Sequence, residues 1–238
     1  MYTLHKGVLV CCLLLTGIAF AQPKSVVGDV SNAQQFMNDA NGRPLYMHSE
    51  YEVEGDPFYH PEFCTANIKI RKGKTYKEIR VKLNLFTNHL IFDGGDGKEM
   101  EATVPVERIE FTGCPDKDKN RILVNGYPPV DGLTEEQYYV LLDTGKLSLL
   151  KYIQVIYRDT KYYGKVNTTR VFEQKPFYYV YEAGKGMQKL AKNKDAVLAL
   201  LASDKENIQP YIDVNKLNCR KEEDLLKVFG YYNTARKD

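Results

Sequence analysis

The chain has 238 residues, with 33 Lys and Arg against 31 Asp and Glu, for a formal charge of +2. Even spacing of those charges argues against a nucleic-acid binder, which needs a concentrated basic face. There is no Trp, but there are 18 Tyr and 10 Phe. Tyr is apolar in body and polar at its tip, so it serves packing and interfaces alike.

Residues 1–21 read as a secretory signal peptide. The basic start ending at Lys6, the apolar run from Gly7 to Phe20, and small residues Ala19 and Ala21 at −3 and −1 are its three parts. A membrane span needs roughly 20 apolar residues, and Gln22-Pro23-Lys24 arrives too early for one. Cleavage leaves 217 residues (238 − 21) and, with Lys6 gone, a charge of +1. No later segment could span a membrane, so an exported chain, periplasmic or secreted, is expected. Its length suffices for one or two domains with a real core.

Residues 22–45 are polar and read as a flexible N-terminal arm. Residues 46–190 read as an antiparallel β domain. Thr65–Arg71 and Tyr76–Phe86 alternate apolar and polar around the turn Lys72-Gly73-Lys74, a hairpin signal. His89–Asp93 is a third strand, ended by Gly94-Gly95-Asp96-Gly97. Met100–Thr112 is a fourth, with Pro105 marking an edge or a bend. After a loop at Gly126–Gly132, the segments Gln137–Asp143, Lys146–Arg158 and Thr169–Glu182 form a second strand-rich group. Lys146–Arg158 is dense enough in apolar residues to be a helix, but its β-branched and aromatic content favours a strand.

Residues 191–238 read as a helical segment packed on the sheet. Asn193 is placed to cap a helix over Asp195–Ala202, and Ser203 to Glu206 has the form of a capping box for a second, short or kinked by Pro210. Over Lys221–Asn233, residues Leu225, Val228, Phe229 and Tyr232 fall on one helical face. The expected fold is therefore mainly β (α+β): an antiparallel meander sheet or sheets, with two or three C-terminal helices docked on them.

Three cysteines remain after cleavage, in a compartment that permits disulfides. Cys64 and Cys114 flank the same strand-rich block and are the expected pair, with Cys219 free; three buried thiols are the alternative.

Several segments together carry a resemblance. Gly55-Asp-Pro-Phe-Tyr-His-Pro-Glu-Phe63 precedes the first hairpin, Val81-Lys-Leu-Asn-Leu-Phe86 lies within it, and His89-Leu-Ile-Phe92 follows. Near the end stand Tyr211-Ile-Asp-Val-Asn-Lys-Leu217, Glu223-Asp-Leu-Leu226 and Tyr231-Tyr232-Asn233. The arrangement resembles uncharacterised secreted or periplasmic proteins of Bacteroidota-type bacteria, with their Gly-x-Pro-aromatic segment, L-x-Y-N-like strand and C-terminal Y-Y-N. Phe86 stands where that group usually has a second Tyr, and Asp56 and Phe58 also depart from its commonest residues. The resemblance implies export and architecture, and brings no catalytic residue with it.

Motifs for chemistry are sparse. The five Ser outside the signal lie in no nucleophile-elbow pattern. His60 and Cys64 are four apart, but Pro57 and Pro61 keep that segment out of a helix and no second ligand pair follows. No metal or cofactor site is expected. Gly94-Gly95-Asp96-Gly97 lacks the Lys of a phosphate loop and the spaced acids of a calcium loop, so it reads as a turn. Acidic pairs such as Glu99/Glu101, Glu107/Glu110 and Glu135/Glu136 leave open a carboxylate-dependent hydrolase acting on envelope or extracellular glycans. The strongest surface signal is aromatic. Alternation puts Phe177, Tyr179 and Tyr181 on one face of a strand, which together with Tyr162 and Tyr163 would make a binding patch for a glycan or an envelope protein. The leading expectation is a non-enzymatic cell-envelope binding module.

Overall fold

A computed structural model describes residues 33, 35–37, 39–44, 52–95, 98–117, 121–164 and 166–234. The signal-peptide expectation for residues 1–21 lies outside them. The described chain is mainly β. Its strands, in chain order, are β1 (Arg43–Pro44), β2 (Glu52–Glu54), β3 (Cys64–Ile70), β4 (Thr75–Asn84), β5 (His89–Asp93) and β6 (Glu99–Glu101). Then come β7 (Val106–Gly113), β8 (Ile122–Val124), β9 (Tyr139–Asp143), β10 (Leu147–Thr160), β11 (Thr169–Glu182) and β12 (Gly186–Leu190). Three helices end the chain: α1 (Lys194–Leu200), α2 (Lys205–Val214) and α3 (Glu222–Thr234).

The strands form one sheet in the order β1-β6-β5-β4-β3-β7-β8-β9-β10-β11-β12. It is two antiparallel meanders joined where β7 returns to pair with β3 (Ile68↔Ile109) instead of continuing beside β6. The expected strand Met100–Thr112 is split for that reason. Pro105 cannot donate to a ladder; it lies between β6 and β7, and its carbonyl accepts from Arg71 N at 2.9 Å. The sheet is mixed, because β2 runs parallel to β11 (Arg170↔Val53). A few residues on, the same segment meets β4, with Tyr59 N donating to Leu83 O and Leu85 N to Pro57 O, both at 2.8 Å. Gln174 Nε2 adds bonds to Asp56 O at 3.0 Å and Phe58 O at 2.8 Å. Residues 52–59 thus tie β11 back to β4, and the strands from β4 round to β11 close into a ring.

Gly55 makes that closure possible. Its φ of +74° is open to glycine, and a Cβ there would sit 2.3 Å from Phe172 O.

Inside the ring lies a core of Ala66, Val81, Leu83, Ile109, Phe111, Leu123, Val140 and Ile153. Part of the stretch read as a flexible arm joins it. Phe36 and Ala40 are fully buried, and the Phe36 ring stands 5.2 Å from Tyr76 and 5.1 Å from Phe92. One large ring in an otherwise polar stretch is enough to anchor it. Cys64 and Cys114 are joined, with Cα atoms 4.5 Å apart, and Cys219 is free and buried.

The helices pack on the half of β10–β12 that carries Leu147, Leu149, Tyr178 and Val180. Asn193 caps α1, its Oδ1 accepting from Ala196 N at 2.8 Å. The expected capping box does not form: Ser203 falls in a 3-10 turn, and α2 begins from Asp204 with no side-chain cap bond. Leu225, Val228, Phe229 and Tyr232 are the buried face of α3. β12 forms because Gly184 and Gly186, both at positive φ, turn the chain back onto β11.

Candidate functional site

The outer face of β9–β12, opposite the helices, carries a group of six aromatic rings. Alternation places Tyr139 of β9, Leu150 and Tyr152 of β10, and Phe177, Tyr179 and Tyr181 of β11 on this face, and the register sets them side by side (Leu150↔Tyr179, Tyr152↔Phe177). Tyr139 is the hub. Its ring centroid lies 5.8 Å from Tyr127, 5.8 Å from Tyr152 and 5.9 Å from Tyr179. Tyr127 meets Tyr181 at 5.1 Å, edge to face, the geometry that ring quadrupoles favour.

A loop covers the centre of the group. From Gly126 to Leu133 the chain crosses the face, with Val130 and Leu133 exchanging backbone bonds (2.8 and 3.2 Å) and Asp131 and Gly132 turning at positive φ. Asp131 Oδ2 accepts from the Tyr179 hydroxyl at 3.3 Å. Tyr179 is therefore buried, at 2% exposure, while Tyr127, Tyr152, Phe177, Tyr181 and Met187 around it are half-buried. Lys189 Nζ stands 4.5 Å over the Phe177 ring, adding a cation to the rim. Burial pushes the Tyr179 hydroxyl up to about 12, helped by the Asp131 carboxylate. Burial likewise raises Tyr127, Tyr139 and Tyr152. All four stay protonated at neutral pH, so the face offers hydroxyls without charge.

Phe177, Tyr179 and Tyr181 thus share one face, and Tyr178 and Val180 face the helices on the other. Tyr162 and Tyr163 are elsewhere. They sit at the tip of the β10–β11 hairpin, beyond Thr169, which lies eight residues from Phe177 along β11, or about 26 Å at about 3.3 Å per residue. Tyr162 donates to Glu54 Oε2 at 3.1 Å, and Tyr163 is fully exposed. A long hairpin separates the two halves of the expected patch. The sequence reading missed Tyr127, Tyr139 and Tyr152. Period-two alternation in β9 and β10 could have found the last two, whereas nothing local shows that the loop bearing Tyr127 folds over the sheet.

A polar cleft lies away from this face, lined from β1, β5, β6 and the β6–β7 connection, and bordered by Glu101 and Glu136. Glu101, 6% exposed, receives Arg43 Nη2 at 2.7 Å and lies 3.2 Å from His89 Nδ1, both through Oε1. Among the described residues there is no cluster of three His, Cys, Asp or Glu placed to hold a metal ion, and no helix is long and apolar enough to cross a membrane. His60 makes a local turn, its Nδ1 accepting from Glu62 N at 3.1 Å.

No family model, curated protein or solved structure matches this chain.

Proposed function

We propose that the protein is an exported, non-enzymatic binding module of the cell envelope, and that its partner, a glycan or an envelope protein, docks on the aromatic outer face of β9–β12. The observation that carries this is the arrangement of half-buried rings around a packed centre. Tyr152, Phe177 and Tyr181 are fixed by Tyr139, Tyr179 and the crossing loop, so little side-chain entropy is lost when a ligand covers them. Rings with neutral hydroxyls beside a lysine suit stacking against a sugar or packing against a partner's side chains. The signal-like N-terminus supports export.

The test is to truncate the half-buried rings and leave the hub. Tyr152→Ala with Phe177→Ala should lose at least tenfold in affinity for the captured partner while the melting curve stays cooperative. Unchanged affinity in that variant would remove the aromatic face from the account.

The rival, a carboxylate-dependent hydrolase of envelope or extracellular glycans, has one observation on its side: Glu101 and Glu136 border the same cleft. Glu101 is held by Arg43, whose Nη2 donates to Oε1 at 2.7 Å, a contact that suits holding a ligand. Turnover of a glycoside abolished by Glu101→Gln and by Glu136→Gln would favour the rival.

A further inference from the structure

The polar cleft has a chemistry of its own, apart from the aromatic face. It encloses about 370 Å³, within the usual range of small-ligand sites of about 300–1,000 Å³. Three groups on its lining have unfilled hydrogen-bonding capacity among the described residues. The first is Arg71, at the end of β3. Arg43, Arg80, Arg158 and Arg170 are each paired with a carboxylate, whereas Arg71, like Arg108, Arg121 and Arg220, has no acidic partner among the described residues, and of those four it is Arg71 that lines the cleft. A half-buried guanidinium with open donors calls for an anion, and its fork fits a carboxylate with two parallel bonds.

The second is Asn125, just after β8. Its Nδ2 donates to Val106 O at 2.8 Å, and the Tyr138 hydroxyl donates to the same carbonyl at 2.7 Å. The acceptor fixes which way round the amide lies, because only the NH₂ end can face a carbonyl. That leaves Oδ1 out of solvent contact with no donor among the described residues. The third is Glu101, whose Oε1 takes both Arg43 and His89. Its Oε2 has no partner among the described residues.

A fork of donors and two acceptors on one cleft lining select against a simple anion. Phosphate or sulfate would satisfy Arg71 but set acceptor oxygens against Asn125 Oδ1 and the Glu101 carboxylate. A ligand carrying a carboxylate for Arg71, with hydroxyls to donate to Glu101 Oε2 and, once a small shift of the half-buried Asn125 side chain opens it, to Asn125 Oδ1, satisfies all three. We infer that this cleft binds a carboxylate-bearing sugar unit, one acidic monosaccharide of the uronic-acid type. Asn88 fixes one rim, its side chain tying the turn before β5 to Glu136 O and to Tyr138 N, so the site is held without the ligand.

The test is calorimetric titration of the purified protein with sodium glucuronate, glucose, acetate and inorganic phosphate. Glucuronate should bind at least tenfold more tightly than each of the other three. Arg71→Ala and Asn125→Leu should each weaken glucuronate at least tenfold, and Arg158→Ala, on the distant hairpin, should leave it unchanged. Should either cleft variant fold poorly, amide shifts in the unaltered protein decide the matter: glucuronate should move His89, Glu101 and Thr103 and leave Tyr152 and Tyr181 still. Phosphate or acetate binding as well as glucuronate, affinity unaffected by Arg71→Ala, or shifts confined to the aromatic face would overturn the inference.

Discussion

Asn233→Ala removes a side chain that acts as a strand neighbour. Asn233 Oδ1 accepts from Leu147 N at 3.1 Å, and its Nδ2 donates to Leu147 O at 2.9 Å and to Asp143 Oδ2 at 2.7 Å. These three bonds fasten the end of α3 to the turn between β9 and β10. Two neutral bonds at about 1 kcal/mol each and one to a carboxylate at about 2 kcal/mol give a sum near 4 kcal/mol. Because Asn233 is only half-buried, water recovers part of it, and a loss of about 3 kcal/mol is expected. At about 2–4 °C per kcal/mol for a chain of this size, Tm should fall by about 6–12 °C. Gly145→Ala reaches the same contact from the other side, since a Cβ there would lie 2.5 Å from Asn233 Cγ. In urea unfolding each single variant should lose stability, and the double variant should lose less than the sum of the two, because Asn233→Ala removes the Cγ and Oδ1 that a Cβ at Gly145 would meet while its own Cβ, 2.7 Å away, remains. A loss below about 1 kcal/mol for Asn233→Ala, or additive losses in the double variant, would refute this account of how α3 is held.

Reducing the Cys64–Cys114 bond, which closes a separation of 50 residues, should lower stability by about 4 kcal/mol on the chain-entropy view; urea unfolding with and without reductant reads it, and coincident curves would contradict it. Gly55→Ala should cost more than about 1 kcal/mol, because it sets a Cβ against Phe172 O at positive φ, and faster amide exchange in β2 would show the ring opening there. At high pH the fold should weaken. Burial first, then Asp39 and Asp131, push the Tyr76 and Tyr179 hydroxyls from 10.0 to about 12. Their neutral forms stabilise the fold fully below pH 10, and that contribution drains away as pH rises toward 12. Thermal melts from pH 9 to 12 should show Tm falling in that window, with a flat profile as the contrary result.

Local patterns carried much of this architecture. Alternation marked β3, β4 and β11, a short apolar run before a Gly-rich turn marked β5, and helical spacing marked the buried face of α3 as Leu225, Val228, Phe229 and Tyr232. Joins made by distant residues were not legible. β7 and β6 are consecutive in sequence, and nothing local says that β7 prefers β3. Residues 52–59 contain Gly55 and Pro57, which keep them out of a helix, and only the approach of β11 makes them the closing segment of the ring. The aromatic face was half visible, because period two shows which residues share a side but not what lies over it. Loop Gly126–Leu133 covers Tyr179, and the length of the β10–β11 hairpin carries Tyr162 and Tyr163 away. The cleft was not visible at all, since Arg71, Asn125 and Glu101 meet only through folding.

The aromatic face is the central claim, and a photo-crosslinking amino acid at Tyr181 tests it most directly. Tyr181 is half-buried at the edge of the group and contacts Tyr127, so a probe there reaches the face without removing Tyr139 or Tyr179. Irradiation in the native host should give one reproducible adduct to an envelope glycan or protein, lost when Tyr152 and Phe177 are Ala and retained when Tyr163 is Ala. An adduct that survives loss of those rings, or none at all beside a folded protein that binds no envelope glycan, would contradict it.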